Sequence, residues 1–178
     1  MATPTTLPDT FVAGDTLLAS ELNSLRGAFR VLQVVNTLKT DSFSTSSSTF
    51  VDVTGLSATI TPTSDTSKIL VMVTLHATGT DVSDSGTTGY VLLRGSTQIA
   101  VNTDLAQKFT GQTSIRQLGA SLQVSFNYAT NFLDSPATTA ATTYKIQGRT
   151  NNGTFYVNRD GDGVNGSVSS ITLMEISA

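Results

Sequence analysis

Chemistry in this chain would have to be built from very few reactive groups. His76 is the only histidine among 178 residues, and cysteine is absent. A Ser-His-Asp arrangement therefore has one possible base, and thiolate nucleophiles, thiolate metal sites and disulfides are all excluded. The nucleophile-elbow string G-x-S-x-G does not occur. The nearest approach to a metal motif is NRDGDG at residues 158–163, where Asn158, Asp160, Asp162 and Gly163 match the opening of a calcium loop. Its twelfth position is Ser169, where such a loop requires a bidentate glutamate, and no helical pattern flanks it. It reads as a long β-turn holding no metal, since Gly, Asp and Asn are the residues a turn needs in any case. The pairs Asp81/Asp84 and Asp160/Asp162 are the only closely spaced acids that could serve as the two carboxylates of a glycosidase, and only their proximity supports that role. Tyr90, Tyr128, Tyr144 and Tyr156 have ring faces that could stack on sugars, although such residues are more often core or interface groups. His76 is expected to be a satisfied or interface histidine; no catalytic residue, metal or cofactor is expected.

Composition points the same way. Charged residues are 13% of the chain, and net charge is −3, while Ser and Thr number roughly fifty against ordinary usage. A surface of that kind offers no basic patch for neutralising phosphates, which argues against nucleic acid as a partner. No apolar run approaches the length of a membrane span, and no charged region followed by an apolar one opens the chain. Membrane insertion is not expected, and synthesis in a cytoplasm is.

The elements that must position these residues begin with an arm. Residues 1–10 (MATPTTLPDT) carry two of the four prolines and no periodicity, which predicts an extended segment. In residues 11–32, Leu18, Leu22, Leu25, Phe29 and Leu32 recur at spacings of four, three, four and three, an a/d seam that predicts one short helix. A helix of two heptads is marginal alone, so packing or self-association is expected to stabilise it. From residue 31 onward the pattern turns to β. Residues 49–53 alternate, Thr54-Gly55 predicts a turn, and Leu56, Ala58 and Ile60 alternate against Ser57, Thr59 and Thr61. Residues 69–73 are apolar at every position, which predicts a central strand covered on both faces. The Ile69/Val71/Val73 face and the Leu70/Met72 face both need cover. One of them fits a sheet-on-sheet core, and the other needs something else, a loop of this chain or a neighbouring subunit.

Residues 81–89 read as a polar loop, and residues 90–93 and 97–101 as a hairpin about Arg94-Gly95-Ser96. Residues 102–120 read as a long excursion. Strands are predicted at 122–128, around Tyr144 and Ile146, at 154–157 after the Asn151-Asn152-Gly153 turn, and at 170–176. Short strands with turn signals about every ten residues predict an all-β protein: a jelly-roll-like antiparallel β-sandwich over residues 32–178, preceded by the arm and helix over 1–31.

Four phrases add a resemblance. FVAGDTLLASELNSLRGAFRVLQVV, STFVDVTGLSATITPTSDTSKILVMV, NFLDSPATTAATTYKIQGRT and SSITLMEIS, in this order, resemble small structural proteins of tailed bacteriophages. They look like the short tail-fibre or virion-decoration proteins common in marine and cyanobacterial phages. Leu18 stands where such N-termini often carry the Thr of a capping box. The resemblance implies a homotrimer of jelly-roll-like heads whose N-terminal segment docks on capsid, tail or baseplate proteins of the virion. The alternative is a receptor-binding adhesin, in which sandwich-end loops carrying Asp81, Asp84, Asp160, Asp162 and Asn165 hold host surface glycan. A polysaccharide depolymerase would need a longer chain with a carboxylate-lined groove.

Overall fold

The computed structural model describes residues 31–81, 86–115 and 122–177. Among them the chain forms eleven β-strands: β1 (Val31–Lys39), β2 (Phe43–Thr45), β3 (Val51–Ile60), β4 (Lys68–Asp81), β5 (Gly86–Arg94), β6 (Thr97–Ile99), β7 (Gly111–Ile115), β8 (Leu122–Asp134), β9 (Thr142–Thr150), β10 (Phe155–Val157) and β11 (Ser169–Ile176). All pairing is antiparallel, in two sheets.

The first sheet is built around β4, which pairs along its length with β8 on one side. On its other side it meets β11 over Lys68–Thr74 and β10 over residues 77–79. Beyond these lie β1 and β2, so the sheet is four strands wide, with two of its lanes each shared by two short strands. The second sheet runs β3, β9, β5, and then β6 and β7 in succession along the free edge of β5. Thr110 fills the gap between them: its N–H donates to Tyr90 O at 2.9 Å, and its Oγ1 accepts from Leu92 N–H at 2.8 Å.

The two sheets enclose one core. Ile69, Val71, Val73, Leu75 and Ala77 of β4 all point inward with at most 2% exposure. They meet Leu56, Ala58 and Ile60 of β3, Tyr90 and Leu92 of β5, and Tyr144 and Ile146 of β9. Each large apolar side chain buried in this way contributes about 1.5–3 kcal/mol. Alternation along β9 and β11, and along β3 on either side of Gly55, places every second residue there, as period-two geometry requires.

Polar bonds cross between the sheets. Tyr90 Oη and Thr130 Oγ1 are 2.5 Å apart, and Tyr128 Oη and Thr113 Oγ1 are 2.7 Å apart. Arg94 Nη1 donates to both oxygens of Asp134, at 2.8 and 2.9 Å, and Tyr144 Oη donates to Asp134 Oδ2 at 2.7 Å. Glu175, fully buried, accepts from Gln33 Nε2 at 2.6 Å and from the Thr63 amide and hydroxyl at 2.7 Å, joining β1, β11 and the β3–β4 connection. Buried Asn158, at φ 61°, donates to the carbonyls of Lys39 and Asp41 and accepts from Ser169 Oγ. Asparagine tolerates this left-handed conformation better than most side chains.

Several expectations need correction. Thr54-Gly55 is not a turn: β3 continues through it, and Gly55, at φ +79°, sits in a bulge between Asp52 and Ser57. Glycine makes that conformation accessible while the flanking alternation persists. The excursion at 102–120 contains β7, and the polar loop at 81–89 is strand at both ends. The strand foreseen at 122–128 extends to Asp134. Leu32 lies in β1, not in a helix, because its neighbours pair with β11. Leu18, Leu22, Leu25 and Phe29, with the arm, lie outside the described residues.

Two predictions follow from these bonds. Replacing Asp134 with Ala leaves the buried Tyr144 hydroxyl and a partly exposed Arg94 without their acceptor. Stability should fall by about 2–3 kcal/mol, or on the order of 5–10 °C in melting temperature for a domain of this size. An unchanged melting temperature would show the bridge to be dispensable.

The second concerns pH. Burial pushes the Glu175 carboxyl up, but its hydrogen bonds from Gln33 and Thr63 outweigh this and hold it below the ordinary value. Its contribution is complete above the usual glutamate range and is lost as pH falls through the lowered value. Burial, partly offset by the Thr113 hydrogen bond, pushes the Tyr128 phenol up to about 12. Its contribution is complete below about 10 and is lost as pH rises through about 12. Glu175→Gln should flatten only the acid limb of a stability–pH curve, and Tyr128→Phe only the alkaline limb.

Candidate functional site

The first candidate is the loop after β10. Asp160 and Asn165 do come together there, facing each other and the loop backbone, while Asp162 turns to Gln123 of β8. Asp160 accepts from the amides of Val164 and Asn165 at 3.0 and 3.1 Å, and from Asn165 Nδ2 at 2.6 Å. The Asn165 bond leads these in holding the Asp160 carboxyl below its ordinary value. Gln123 of β8 braces the loop, accepting from Gly161 N–H at 2.7 Å and donating to Asp162 Oδ1 at 2.9 Å. Arg159 lies over the Tyr156 ring at 4.7 Å and donates to the carbonyls of Asp160 and Gly161. The acid and amide groups of this loop therefore shape the loop itself. Asp81 closes β4, where its backbone pairs with Leu122 beside Gln123, so it ends at the same edge of the sheet. Asp84 lies outside the described residues.

The other sequence candidates are dispersed. Tyr90 and Tyr144 are fully buried, and Tyr128 is half-buried with its hydroxyl on Thr113. None of these three is a free stacking platform. His76 is half-buried on β4, and its Nδ1 has no hydrogen-bond partner. Its backbone, by contrast, is tied to Ser169 Oγ and Asn158.

A second site, missed in the sequence, lies on the outward face of the β3–β9–β5 sheet. Lys145, Gln147 and Arg149 point outward from β9, alternating with Tyr144, Ile146 and Gly148, which point inward. Lys145 Nζ and Gln147 Nε2 grip Asp52 of β3 at 2.9 and 2.6 Å, and these bonds, Gln147 first, lower its carboxyl below the ordinary value. Arg149 is left beside a cleft of about 370 Å³ lined by Phe50, Gln98, Gln107, Lys108 and Phe109. Its guanidinium carbon is 5.2 Å from the Phe50 ring centre and 4.8 Å from that of Phe109, and the two rings meet edge to face at 5.4 Å. Nη1 donates to Ser48 O at 3.2 Å, Nη2 donates to Gln107 Oε1, and the enclosed Nε has no partner.

Local sequence explains why the cleft forms. Gly89 pairs with Arg149 across the β5–β9 ladder. A Cβ there would come within 2.8 Å of Phe109 and 2.5 Å of Gly111 O, so glycine lets the β6–β7 connection lie close against the sheet. Phe109 is buried by this approach, while Gln107 and Lys108 stay exposed. The alternation of Lys145, Gln147 and Arg149 was legible as a polar face. The packing of a distant loop onto it depends on contacts that one sequence does not display.

The calcium reading has a direct test. Because the Asp160 oxygens are occupied by amide donors of their own loop, the melting temperature should be the same in EDTA and in millimolar calcium. A rise of several degrees with calcium would make Asp160 and Asp162 ligands.

Compared with known proteins, this chain is matched by no family model and by no curated protein.

Proposed function

We propose that this chain is a non-enzymatic structural protein of a bacteriophage virion, a trimeric short fibre or decoration module fixed to the particle through residues 1–31. The phrases that resemble such proteins support the reading. Fold detail supports it too: most connections between successive strands pass from one sheet to the other, and the order β1, β11, β4, β8 opposite β3, β9, β5, β6/β7 resembles that of a jelly roll.

The observation that carries self-association is one apolar row. Across the outward face of the first sheet, Val34 pairs with Met174, Met174 with Leu70, and Leu70 with Leu133. Val34 is 52% and Leu133 56% exposed, and Leu70 and Met174 are half-buried. Val31, at 47%, and Ile176 extend the row on one side, and Met72 on the other. A contiguous apolar band that crosses a whole sheet favours a protein partner, and closed symmetry among copies covers it with one repeated contact. Val71, by contrast, faces the core, so a charge there would test folding rather than assembly.

A second reading, a receptor-binding adhesin, is favoured by the Arg149 cleft rather than by the Asp160 loop.

Light scattering of the full-length chain should give about three times the 18.6 kDa monomer mass. Leu133→Asp should shift it to monomer while retaining the melting temperature. A monomeric wild-type protein would overturn the trimer, and absence of the chain from purified particles would overturn the virion role.

A further inference from the structure

We infer that the cleft between Phe50, Phe109 and Arg149 binds an acidic saccharide, one sugar ring bearing a carboxylate. This deepens the adhesin reading and moves its site from the sandwich-end loops to the outward face of the β3–β9–β5 sheet.

Three features of the site select that chemistry. The lining is cationic in a chain of net charge −3: Arg149 and Lys108 contribute to it, and no carboxylate does. Lys108 is exposed and makes no ion pair among the described residues, so its charge is available at the rim. The nearest acid along β9's outward row, Asp52, is already held by Lys145 and Gln147. A carboxylate entering here meets charge-assisted donors rather than repulsion.

The aromatic groups supply the second feature. Phe50 and Phe109 are packed edge to face with Arg149 beside both, which fixes the guanidinium on apolar surface and strengthens its field by limiting water. Half-buried Phe50 is the ring that can meet the apolar C–H face of a sugar, while buried Phe109 supports it and Arg149 from beneath. The third feature is the pair of amides: Gln98 has donor and acceptor atoms suited to hydroxyl groups, and Gln107, whose Oε1 accepts from Arg149, keeps its amide N–H groups as donors. A cleft of about 370 Å³ has room for one or two sugar rings. A bare inorganic anion would leave the amides and rings unused, and a neutral sugar would leave the cations unused.

The test is calorimetric titration of the full-length protein with three probes: an oligogalacturonate, the matching neutral galactose oligosaccharide, and polyglutamate. Oligogalacturonate should bind, and the other two should bind at least about tenfold more weakly. Lys108→Glu, an exposed substitution that leaves Phe109 and Arg149 in place, should weaken oligogalacturonate binding by at least about tenfold. Gln98→Ala, also exposed, should weaken it by a smaller factor while leaving the melting temperature unchanged. No oligogalacturonate binding, equal binding of polyglutamate, or full binding by Lys108→Glu would each overturn the proposal. Scattering mass separates this result from the structural reading: a monomer that still binds the acidic probe would refute the trimer alone, and a trimer that ignores it would refute the glycan site alone.

Discussion

A carboxylate buried between two sheets sets the parity of this fold. Asp134, with 6% exposure, ends β8 and points inward, where it meets Arg94 and Tyr144, themselves a register pair on β5 and β9. Burial without those donors would be costly, so the carboxylate permits only arrangements that bring them to it. Side chains alternate with period two. A one-residue slip of β8 would turn Asp134 out, turn Leu133 in and break every bond of the bridge. The same logic applies to the opposite sheet, because fixing Arg94 against Tyr144 also fixes Gly89 against Arg149 further along the ladder. One interaction thus determines which residues form the apolar row on one outward face and which glycine admits Phe109 on the other.

This dependence explains what could be read in advance. Alternation in β3 is a local property, visible in the sequence as Leu56, Ala58 and Ile60 set against Ser57, Thr59 and Thr61, and with the short strands and regular turn signals it predicted the sandwich, though not which face of residues 69–73 is the core. The central place of β4 was legible for the same reason, since a run apolar on both faces has to be covered on both. Gly55 shows the limit. A glycine after a threonine signals a turn or a bulge equally well, and only pairing with β9 decides between them. Residues 111–115 were missed as a strand because Gly-Gln-Thr-Ser-Ile has little apolar content, and what makes it β7 is the free edge of β5 beside it. The candidate site was less legible still. Asp160 and Asn165 drew notice as ligand types but serve their own turn, and Asp162 ties it to Gln123, whereas Phe50, Lys108, Phe109 and Arg149 are scattered over a hundred positions and converge only through the fold.

The two outward faces differ in what they ask of their surroundings. One carries Val34, Met174, Leu70 and Leu133 in a continuous row and gains by losing water. The other carries Lys145, Gln147, Arg149 and Asp52, and gains by keeping water at its rim. Because they lie on opposite sides of one core, about two sheets apart, an assembly that buries the first face turns the second outward in every copy. A single cleft of this size offers few contacts, and its intrinsic affinity for one sugar residue would be weak. If the proposed assembly repeats it by symmetry and by copy number, the same contact would gain through effective concentration, by about 10²–10⁴-fold with no new interaction. The proposed assembly through the apolar face and the proposed recognition through the polar one are therefore not competing accounts of this molecule: the first would supply the multiplicity that makes so slight a site useful.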